Sequence, residues 1–228
     1  YNAFMDVTCI TRKKDAILTS IISQVTPSES SVIKRVAYEP MFTEHLRDHL
    51  GIKGVIRVSM HEPLTNIRKL IVIICERGMP STEVWRAMYG AASLHRAAGK
   101  YVIAVNDDID PDNADAVFWA MAYRANPALD VEILKHRDSG HGPRSPRNGG
   151  EDASVLFDAT LKEDFPPISL PKKEFMENAK EIWEELGLPE LKPQVPWHGY
   201  SLGEWEEEFD VMAKRAVESD YFKTGEII

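Results

Sequence analysis

Apolar residues follow two different spacings along the chain, which predicts strands alternating with helices. Two runs, Leu70 to Cys75 and Tyr101 to Val105, are apolar at almost every position, as is typical of parallel strands covered on both faces. Residues 82–97 between them repeat apolar side chains at helical spacing, and Gly99 follows, which suits a helix end. This order predicts a parallel βαβ unit and an α/β fold class. The apolar stripe of the helix is Val84, Met88, Ala92 and His95.

The strand at 101–105 leads into the most distinctive stretch of the chain. Four acidic or amide residues follow it, namely Asn106, Asp107, Asp108 and Asp110. Asp110 is a good N-cap and Pro111 suits the first helical position, so we expect a helix from residue 111. The expected apolar positions are Val117, Phe118, Met121 and Ala122. The helix should end near Asn126, because a following proline disfavours helical conformation.

The chain before this unit predicts a strand and two helices. Residues 55–60 have the composition of a strand. Ser28 suits the N-cap of a helix that Pro40 is expected to break, and residues 41–50 predict a second short helix followed by Gly51 as its C′ residue. The face of the first helix expected to be apolar consists of Val32, Ile33, Val36 and Ala37.

Beyond residue 127 the pattern predicts two more strands and a loop between them. Residues 131–134 and 154–160 are apolar, whereas residues 137–153 are rich in Gly, Pro and Arg. A segment of that composition predicts a mobile loop.

The last part of the chain predicts a helical arm. Residues 175–186 repeat apolar side chains at helical spacing up to Gly187, and Ser201 with Glu204 forms a capping box for a last helix. We expect these helices to pack on another subunit or domain, and we place a domain boundary between residues 1–187 and the extension 188–228.

Composition narrows the class of protein and its partners. The net charge of −9 argues against broad binding to nucleic acids or anionic membranes, and no apolar run reaches the ~18 residues of a membrane span. Cys9 and Cys75 stand in apolar stretches without metal-ligand spacing, which favours buried free thiols in a reducing cytoplasm. The chain begins at Tyr1 and enters a predicted strand at 4–10, so we expect it to be a piece of a longer protein.

The aspartates after the strand are a candidate metal site. Asp107, Asp108 and Asp110 follow its carboxyl end, where ligands bind in open α/β sheets, and carboxylates there can hold Mg²⁺ for phosphoryl chemistry. The competing interpretation is that Asp110 caps a helix while its neighbours favour the positive helix end. We favour the capping role, because no nearby nucleophile pattern completes a hydrolase site.

Histidines mark two further candidate sites. His45 and His49 are four residues apart on a predicted helix, a spacing that can hold zinc. However, Leu46 stands where a metalloprotease has glutamate, so surface histidines are expected. His136 and His141 in the loop fit an anion site or acid–base chemistry, and equally a solvated lid. The loop also contains Arg137, Arg144 and Arg147.

Three stretches match motifs of one known family when they are read together. They are VTCITRKKDAI at 7–17, VNDDIDPDNADAVFWAMAYRANP at 105–127, and LFDAT at 156–160. In this order and spacing they resemble the C-terminal part of the UbiD family, the prenylated-FMN-dependent reversible decarboxylases. The motif at 105–127 is specific, and the other two support it.

The resemblance implies an architecture and a division of labour. An N-terminal domain or subunit would bind the prenylated FMN with a divalent metal, K⁺ being a second candidate ion, and would hold the catalytic Glu-Arg-Glu set. This chain would be the C-terminal part, a three-layer α/β sandwich with a mostly parallel or mixed sheet. It would cover the substrate pocket and build a homo-oligomer, from dimer to hexamer. Alone it should be inactive.

The resemblance also assigns positions around the pocket. Ser30 and Lys34 match side chains that face the substrate. His95 or Arg96 matches a basic residue that reaches the flavin phosphate, and Lys100 is a third candidate.

The loop at 136–143 matches the mobile lid of the family. It contains His136, Ser139, Gly140, His141 and Gly142, where some members place a leucine. A polar lid implies a polar or hydroxylated acid among the aromatic, heteroaromatic or unsaturated carboxylic acids that exchange CO₂ in this family. Two alternatives stay open: a non-catalytic assembly module of the same fold, and a magnesium-dependent hydrolase using the aspartates at 107–110.

Overall fold

A five-stranded mixed sheet organises the chain. The computed structural model describes residues 4–20, 28–61, 69–139, 151–163, 171, 173–190 and 207–220. The strands are β1 (Val55–Met60), β2 (Leu70–Cys75), β3 (Tyr101–Asn106), β4 (Val131–Arg137) and β5 (Asp152–Asp158). The helices are α1 (Glu29–Glu44, continued by a π-helical turn at His45–His49), α2 (Ser81–Leu94), α3 (Ala114–Arg124), α4 (Lys173–Glu185) and α5 (Glu207–Val217).

The strand order is β1-β2-β3-β5-β4. The inner pairs β2–β3 and β3–β5 are parallel, and the two edge strands pair antiparallel to their neighbours. The predicted α/β class and the parallel βαβ unit of β2, α2 and β3 are therefore confirmed, and the sheet is mixed.

Helices cover the two faces of the sheet and make three layers. On one face, the end of α1 and the buried side of α2 pack on Ile71, Ile73 and Val102. On the other face, α3 packs on the alternate residues of the same strands, among them Val72 and Ile103. Because β2 and β3 are buried on both faces, nearly all their residues are apolar, as predicted.

Helix α1 continues through Pro40, so the predicted break and the separate helix at 41–50 are wrong. Ser28 caps α1 as expected, accepting the N–H of Ser31. A proline inside a helix costs about 3 kcal/mol, but the helix beyond it buries Phe42 and Leu46 completely. Burial of two large apolar side chains offsets this cost.

Side chains of α1 cover the outer edge of β1. Three residues spaced one turn apart on the helix reach alternate backbone groups of the strand. The contacts join Glu39 Oε1 to the N–H of Met60 (2.8 Å), Thr43 Oγ1 to the N–H of Val58 (3.0 Å), and Arg47 Nη1 to the carbonyl of Ile56 (3.4 Å). These contacts supply hydrogen-bond partners to two N–H groups and one carbonyl at the edge of the sheet. They also fix α1 antiparallel to β1.

The first half of α1 projects beyond the sheet. Glu39 is level with the last residue of β1, so Ser30 lies about 13 Å further along the helix axis. Val32, Ile33 and Val36 are 47%, 63% and 68% exposed. The prediction that they form a buried face is wrong, because within the described residues no sheet lies beneath this part of the helix.

Residues 4–20 are exposed, with a turn at 14–15 and without strand pairing to the described residues. Phe4 and Ile10 are 90% and 82% exposed. The predicted strand at 4–10 is therefore absent, since a strand needs a hydrogen-bonding partner. Cys9 is exposed, against expectation, whereas Cys75 is buried; both are free thiols. Burial raises the pKa of Cys75 to about 12, with a smaller contribution from Asp158.

Helix α3 begins three residues later than predicted. Asn113 is its N-cap and accepts the N–H groups of Asp115 and Ala116, while Asp110 accepts the N–H of Asp112 in the preceding turn. The buried face also differs: Ala116, Val117, Ala120 and Arg124 are buried, whereas Phe118 and Ala122 are exposed.

Helices form where the last part of the chain predicts them, and their packing as an arm on another subunit or domain stays a prediction. Helix α4 ends before Gly187, which has φ +62°, and α5 follows at Glu207–Val217. The capping box at Ser201 and Glu204 lies outside the described residues. No helix in the described part of the chain is long and apolar enough to cross a membrane.

Candidate functional site

The carboxyl end of β3 is held by a buried ion pair. Asp108 accepts two hydrogen bonds from Arg124 at the end of α3, at 2.9 and 2.5 Å. The two side chains are only 3% and 2% exposed, and Arg77 contacts the same carboxylate at 3.1 Å. The guanidinium of Arg124 lies 5.3 Å from the ring centre of Trp119, a cation–π distance. Asp108 therefore joins the strand to α3.

Polar side chains also join the ends of the neighbouring strands. Asn106 donates to the carbonyl of Cys75 at 3.4 Å and accepts the N–H of Leu161 at 2.6 Å. Asp158 is fully buried and accepts the N–H and the hydroxyl of Thr160 at 2.9 and 2.6 Å. These contacts hold β2, β3 and the segment after β5 together.

The ammonium of Lys162 lies among five oxygen atoms at this edge. Three are the carbonyl oxygens of Arg124, Asp158 and Thr160, at 3.3, 2.9 and 3.2 Å. Two are carboxylate oxygens of Asp130 and Asp158, at 3.5 and 3.4 Å. The ammonium of Lys162 thus already neutralises negative charge on the carboxylates of Asp130 and Asp158.

The magnesium hydrolase interpretation finds no support in this arrangement. The carboxylate of Asp108 forms ion pairs with two arginines. One carboxylate oxygen of Asp110 accepts the backbone N–H of Asp112 in the turn. In the ranges that the structure covers, no three His, Cys, Asp or Glu side chains come together as a metal site.

The predicted cofactor residues lie at the opposite, amino end of the parallel strands. Arg96 follows α2, and its side chain is 83% exposed and 3.2 Å from Asp138. Lys100 precedes β3 and binds both oxygens of Asp152, at 3.1 and 2.8 Å. His95 ends α2 and accepts the N–H of Ala97 at 3.2 Å through Nδ1. The order of the elements therefore brings all three candidates to one edge.

Two predicted lid residues lie at the same edge. His136, near the end of β4, pairs with Glu151 and has φ +62°, an uncommon backbone conformation for a residue other than glycine. The carbonyl of Ser139 accepts a hydrogen bond from Lys69 at 2.6 Å. His141 lies outside the described residues, as do Arg144 and Arg147.

Arg137 is a structural residue of this edge. Its guanidinium donates to the carbonyl of Ala92 and, at 3.3 Å, to that of Ala98, while its Nε donates to the hydroxyl of Ser154 at 3.1 Å. It thereby caps the carbonyl end of α2 and ties that end to β5.

The predicted substrate residues lie towards the same end of the sheet. Ser30 and Lys34 are on the projecting half of α1, which runs parallel to β2 and β3 because it is antiparallel to β1. Ser30 is half-buried, 3.4 Å from the Ser28 hydroxyl, and Lys34 is exposed. The substrate, cofactor and lid candidates that the structure describes therefore share one end of the molecule.

Arg35 fixes the projecting helix to the loop after β3. Its guanidinium contacts Asp112 and Glu39 and lies 3.4 Å from the hydroxyl of Ser59. Burial by itself would lower the pKa of Arg35, but hydrogen bonds to the two carboxylates raise that pKa above its ordinary value. The charged form is thus favoured, and the helix has a fixed attachment.

Lys69 is not among the candidates predicted from sequence, but it precedes β2 at this edge as Lys100 precedes β3. The N–H of Tyr101 bonds to the carbonyl of Lys69 at 2.8 Å, so the two lysines begin neighbouring strands. A signal was present, because each apolar run is directly preceded by a lysine and parallel strands begin at the same edge.

The histidine pair on the π-helical turn lies apart from these residues. The rings of His45 and His49 are edge to face with centres 6.0 Å apart. Burial, and secondarily the neighbouring His49, lowers the pKa of His45. The described residues bring no third ligand to the pair.

Solved structures similar to this chain include a UbiD-class enzyme and two decarboxylases. They include the UbiD-class enzyme HmfF from Pelotomaculum thermopropionicum in complex with FMN (24% identity, TM-score 0.56). Others are vanillic acid decarboxylase from Sedimentibacter hydroxybenzoicus (19%, 0.53) and a 3,4-dihydroxybenzoic acid decarboxylase from Enterobacter cloacae (17%, 0.52). The matches cover 67%, 70% and 65% of this chain, but only 34%, 35% and 33% of those chains. The likeness shows the fold, over about a third of each relative.

A family match agrees with this likeness. Residues 31–159 match the 3-octaprenyl-4-hydroxybenzoate carboxy-lyase C-terminal domain. The match includes α1 from residue 31 onwards, α2, α3 and all five strands of the sheet, and it ends just after β5. Because it covers more than half of the 228 residues, the chain belongs to the family of UbiD carboxy-lyase C-terminal domains.

Proposed function

We propose that this chain is the pocket-covering and oligomer-building part of a prenylated-FMN-dependent carboxy-lyase. The rest of that enzyme would be a flavin-binding domain or subunit with a divalent metal and the catalytic Glu-Arg-Glu set. We call the two together the assembled enzyme, whether they form one polypeptide or two. The chain alone would not turn over substrate.

One observation carries the proposal: the substrate, cofactor and lid candidates that the structure describes all lie towards the amino end of the parallel strands. Helix α1 extends beyond that end of the sheet, and Arg96 and Lys100 lie at the same end. In a domain that only assembles subunits, nothing would require an exposed arginine and the polar lid residues to gather there.

A flavin phosphate fits the residues at this edge. Arg96 is largely exposed and pairs with Asp138 at 3.2 Å, so a doubly charged phosphate would compete for it. Lys100 would add a positive charge to the same edge, and His95 remains the third candidate. When bound, the modified flavin supplies an electron sink for loss of CO₂. The residues of this chain would hold its phosphate and exclude water from the pocket.

The lid residues support a polar substrate. His136 and Ser139 border the edge, where an apolar acid would gain more from leucine or another apolar side chain. A hydroxylated aromatic acid would use such polar groups, and Lys34 would pair with a second carboxylate or a phenolate. The relatives named for vanillic and 3,4-dihydroxybenzoic acids act on compounds of this kind.

The exposed apolar residues near the beginning of the chain support contact with the flavin-binding part. Phe4 and Ile10 in the segment at 4–20, and Ile33 and Val36 on α1, are more than half exposed. Apolar groups in such number favour burial against a partner. The flavin-binding domain would pair with the segment at 4–10 and pack on the projecting helix, closing the pocket.

Flavin retention by the assembled enzyme tests the cofactor assignment. Replacement of Arg96 by alanine should weaken FMN binding by roughly 10- to 100-fold, since a hydrogen bond to a charged group contributes about 1.5–3 kcal/mol. Lys100→Gln should add to this loss. Flavin content per chain after gel filtration, and titration of the apoprotein with FMN, would measure both effects.

A control variant lies on α2, the helix that Arg96 follows. Arg86→Ala removes the same charge ten residues earlier, where the arginine pairs with Glu83 and is half exposed. This variant should keep its flavin. If Arg96→Ala and Lys100→Gln retain FMN as the control does, this edge does not bind the cofactor.

A further inference from the structure

The histidine pair at the end of α1 takes no part in the proposed function. Apart from their contact with each other, the rings of His45 and His49 have no hydrogen-bond or ion-pair partner among the described residues. The other described histidines do have partners. His95 accepts a backbone N–H, His136 pairs with a carboxylate, and His61 is buried with a contact of its own. The ring nitrogens of His45 and His49 are therefore available to a ligand from outside the protein.

The backbone that carries the two rings is fixed. Leu50 donates its N–H to the carbonyl of His45 at 2.9 Å, which closes the π-helical turn. Leu46 is fully buried. Leu46 and Leu50 approach α2 so closely that a side-chain carbon at Gly90 would lie 2.9 and 2.6 Å from them. A ligand of the rings therefore binds to a turn that is already ordered, which lowers the entropic cost of binding. Single π-helical turns are rare and often occur at functional sites.

The two rings are placed to share one metal ion. Their centres are 6.0 Å apart, with the ring planes at 80°. Two imidazoles on one tetrahedral ion have ring centres about 5 Å apart, because each nitrogen lies about 2.0–2.1 Å from the metal. The pair must therefore close by about 1 Å. Rotation of the exposed His49 side chain supplies this movement, since the terminal torsion of histidine is broad.

We propose that His45 and His49 bind a transition-metal ion of the Zn²⁺, Ni²⁺ and Cu²⁺ class as a two-histidine chelate, with water in the remaining positions. Neutral imidazole suits these ions, whereas Mg²⁺ and Ca²⁺ prefer oxygen ligands. The site goes beyond the proposed function. It lies at the carboxyl end of the parallel strands, whereas the cofactor candidates Arg96 and Lys100 lie at the amino end.

A bound ion would hold the π-helical turn closed. His45 begins the turn and His49 ends it, so coordination by both rings joins its two ends. An ion that binds the closed turn and not the open turn stabilises the closed form by mass action. The end of α1 would then open less often when the metal is present.

Titration of the assembled enzyme with Zn²⁺ tests the site. Binding is measured at about pH 7.5, where an ordinary histidine is mostly neutral, in competition with a fluorescent zinc indicator. His49→Ala and His45→Gln should each weaken zinc binding by roughly 100-fold, because the second ring of a chelate acts at high effective concentration. Mg²⁺ should not displace the zinc. Unchanged zinc affinity in His49→Ala would overturn the proposal, and this exposed position leaves the fold intact.

Asp48→Ala is the matched control on the same turn. The Asp48 side chain is 61% exposed and pairs with Lys53 at 3.5 Å. Its replacement removes a negative charge beside the rings without removing a nitrogen ligand. This variant should bind zinc as the unaltered protein does. An equal loss of affinity in Asp48→Ala and His49→Ala would show that surface charge attracts the ion, and would also overturn the proposal.

Hydrogen exchange at the Leu50 N–H provides a second measurement. This amide closes the π-helical turn, so an ion that holds the turn should slow its exchange. At a zinc concentration ten times the Kd, exchange should slow roughly tenfold in the unaltered protein and not in His49→Ala. Equal exchange with and without zinc in the unaltered protein would overturn the proposal. Neither measurement depends on flavin or turnover, so failure here leaves the cofactor test untouched.

Discussion

Replacement of Asp108 by alanine should strongly destabilise the chain. The variant leaves Arg124, with a side chain only 2% exposed, buried without the carboxylate that accepts its two hydrogen bonds. Loss of one partner of a buried pair costs about 3–5 kcal/mol. Arg77 should add little to this cost, since its side chain is 39% exposed and can be solvated by water.

Urea unfolding followed by circular dichroism would measure this loss. The midpoint and slope of the transition give the free energy of unfolding for each variant. Glu83→Ala is the control, because it removes the carboxylate from the half-exposed Arg86 and should cost less than about 1 kcal/mol. The double variant Asp108→Ala, Arg124→Met should recover part of the loss, since it leaves no unpaired buried charge.

Two outcomes would refute this reasoning. One is a loss below about 1 kcal/mol for Asp108→Ala, close to that expected of an exposed pair. The other is a double variant whose loss equals the sum of the single losses, because residues in contact should show a coupling energy.

The remaining predictions concern a thiol and the edge of the sheet. Burial holds the pKa of Cys75 at about 12. In native protein at pH 8, only Cys9 should therefore react with a thiol reagent, whereas both cysteines should react in urea. Rapid reaction of both thiols in the native protein would contradict this prediction. Because the folded state keeps this thiol protonated, its contribution to stability should fall as pH rises from about 9 towards 12. Thr43→Val removes the acceptor of the Val58 N–H and should cost about 1–3 kcal/mol and speed hydrogen exchange at that amide, whereas the exposed Thr82→Val should do neither.

The centre of the fold was predictable because its residues are constrained by their nearest neighbours. Leu70 to Cys75 is apolar on both faces because helices cover both sides of β2. The uninterrupted apolar run can be recognised directly in the sequence. The same is true of β3. Candidate residues such as Arg96 and Lys100 required the family resemblance, since no local pattern marks them.

Other features depend on contacts that are remote in sequence. Pro40 fails to end α1 because Phe42 and Leu46 are buried under the sheet, which no local rule reveals. Asp110 and Asn113 are both good caps, and only the packing of α3 selects the second. The apolar residues at 4–10 match a strand pattern, but the structure gives that segment no strand to pair with among the described residues.

The covering of β1 by α1 limits how copies of this protein can polymerise. A sheet with two open borders can recruit further strands without end, as fibrils do. Here Glu39, Thr43 and Arg47 close one border, so among the strands that the structure describes β4 is the edge left to pair. Two molecules joined there about a twofold axis would use up both open borders, and growth would stop at two.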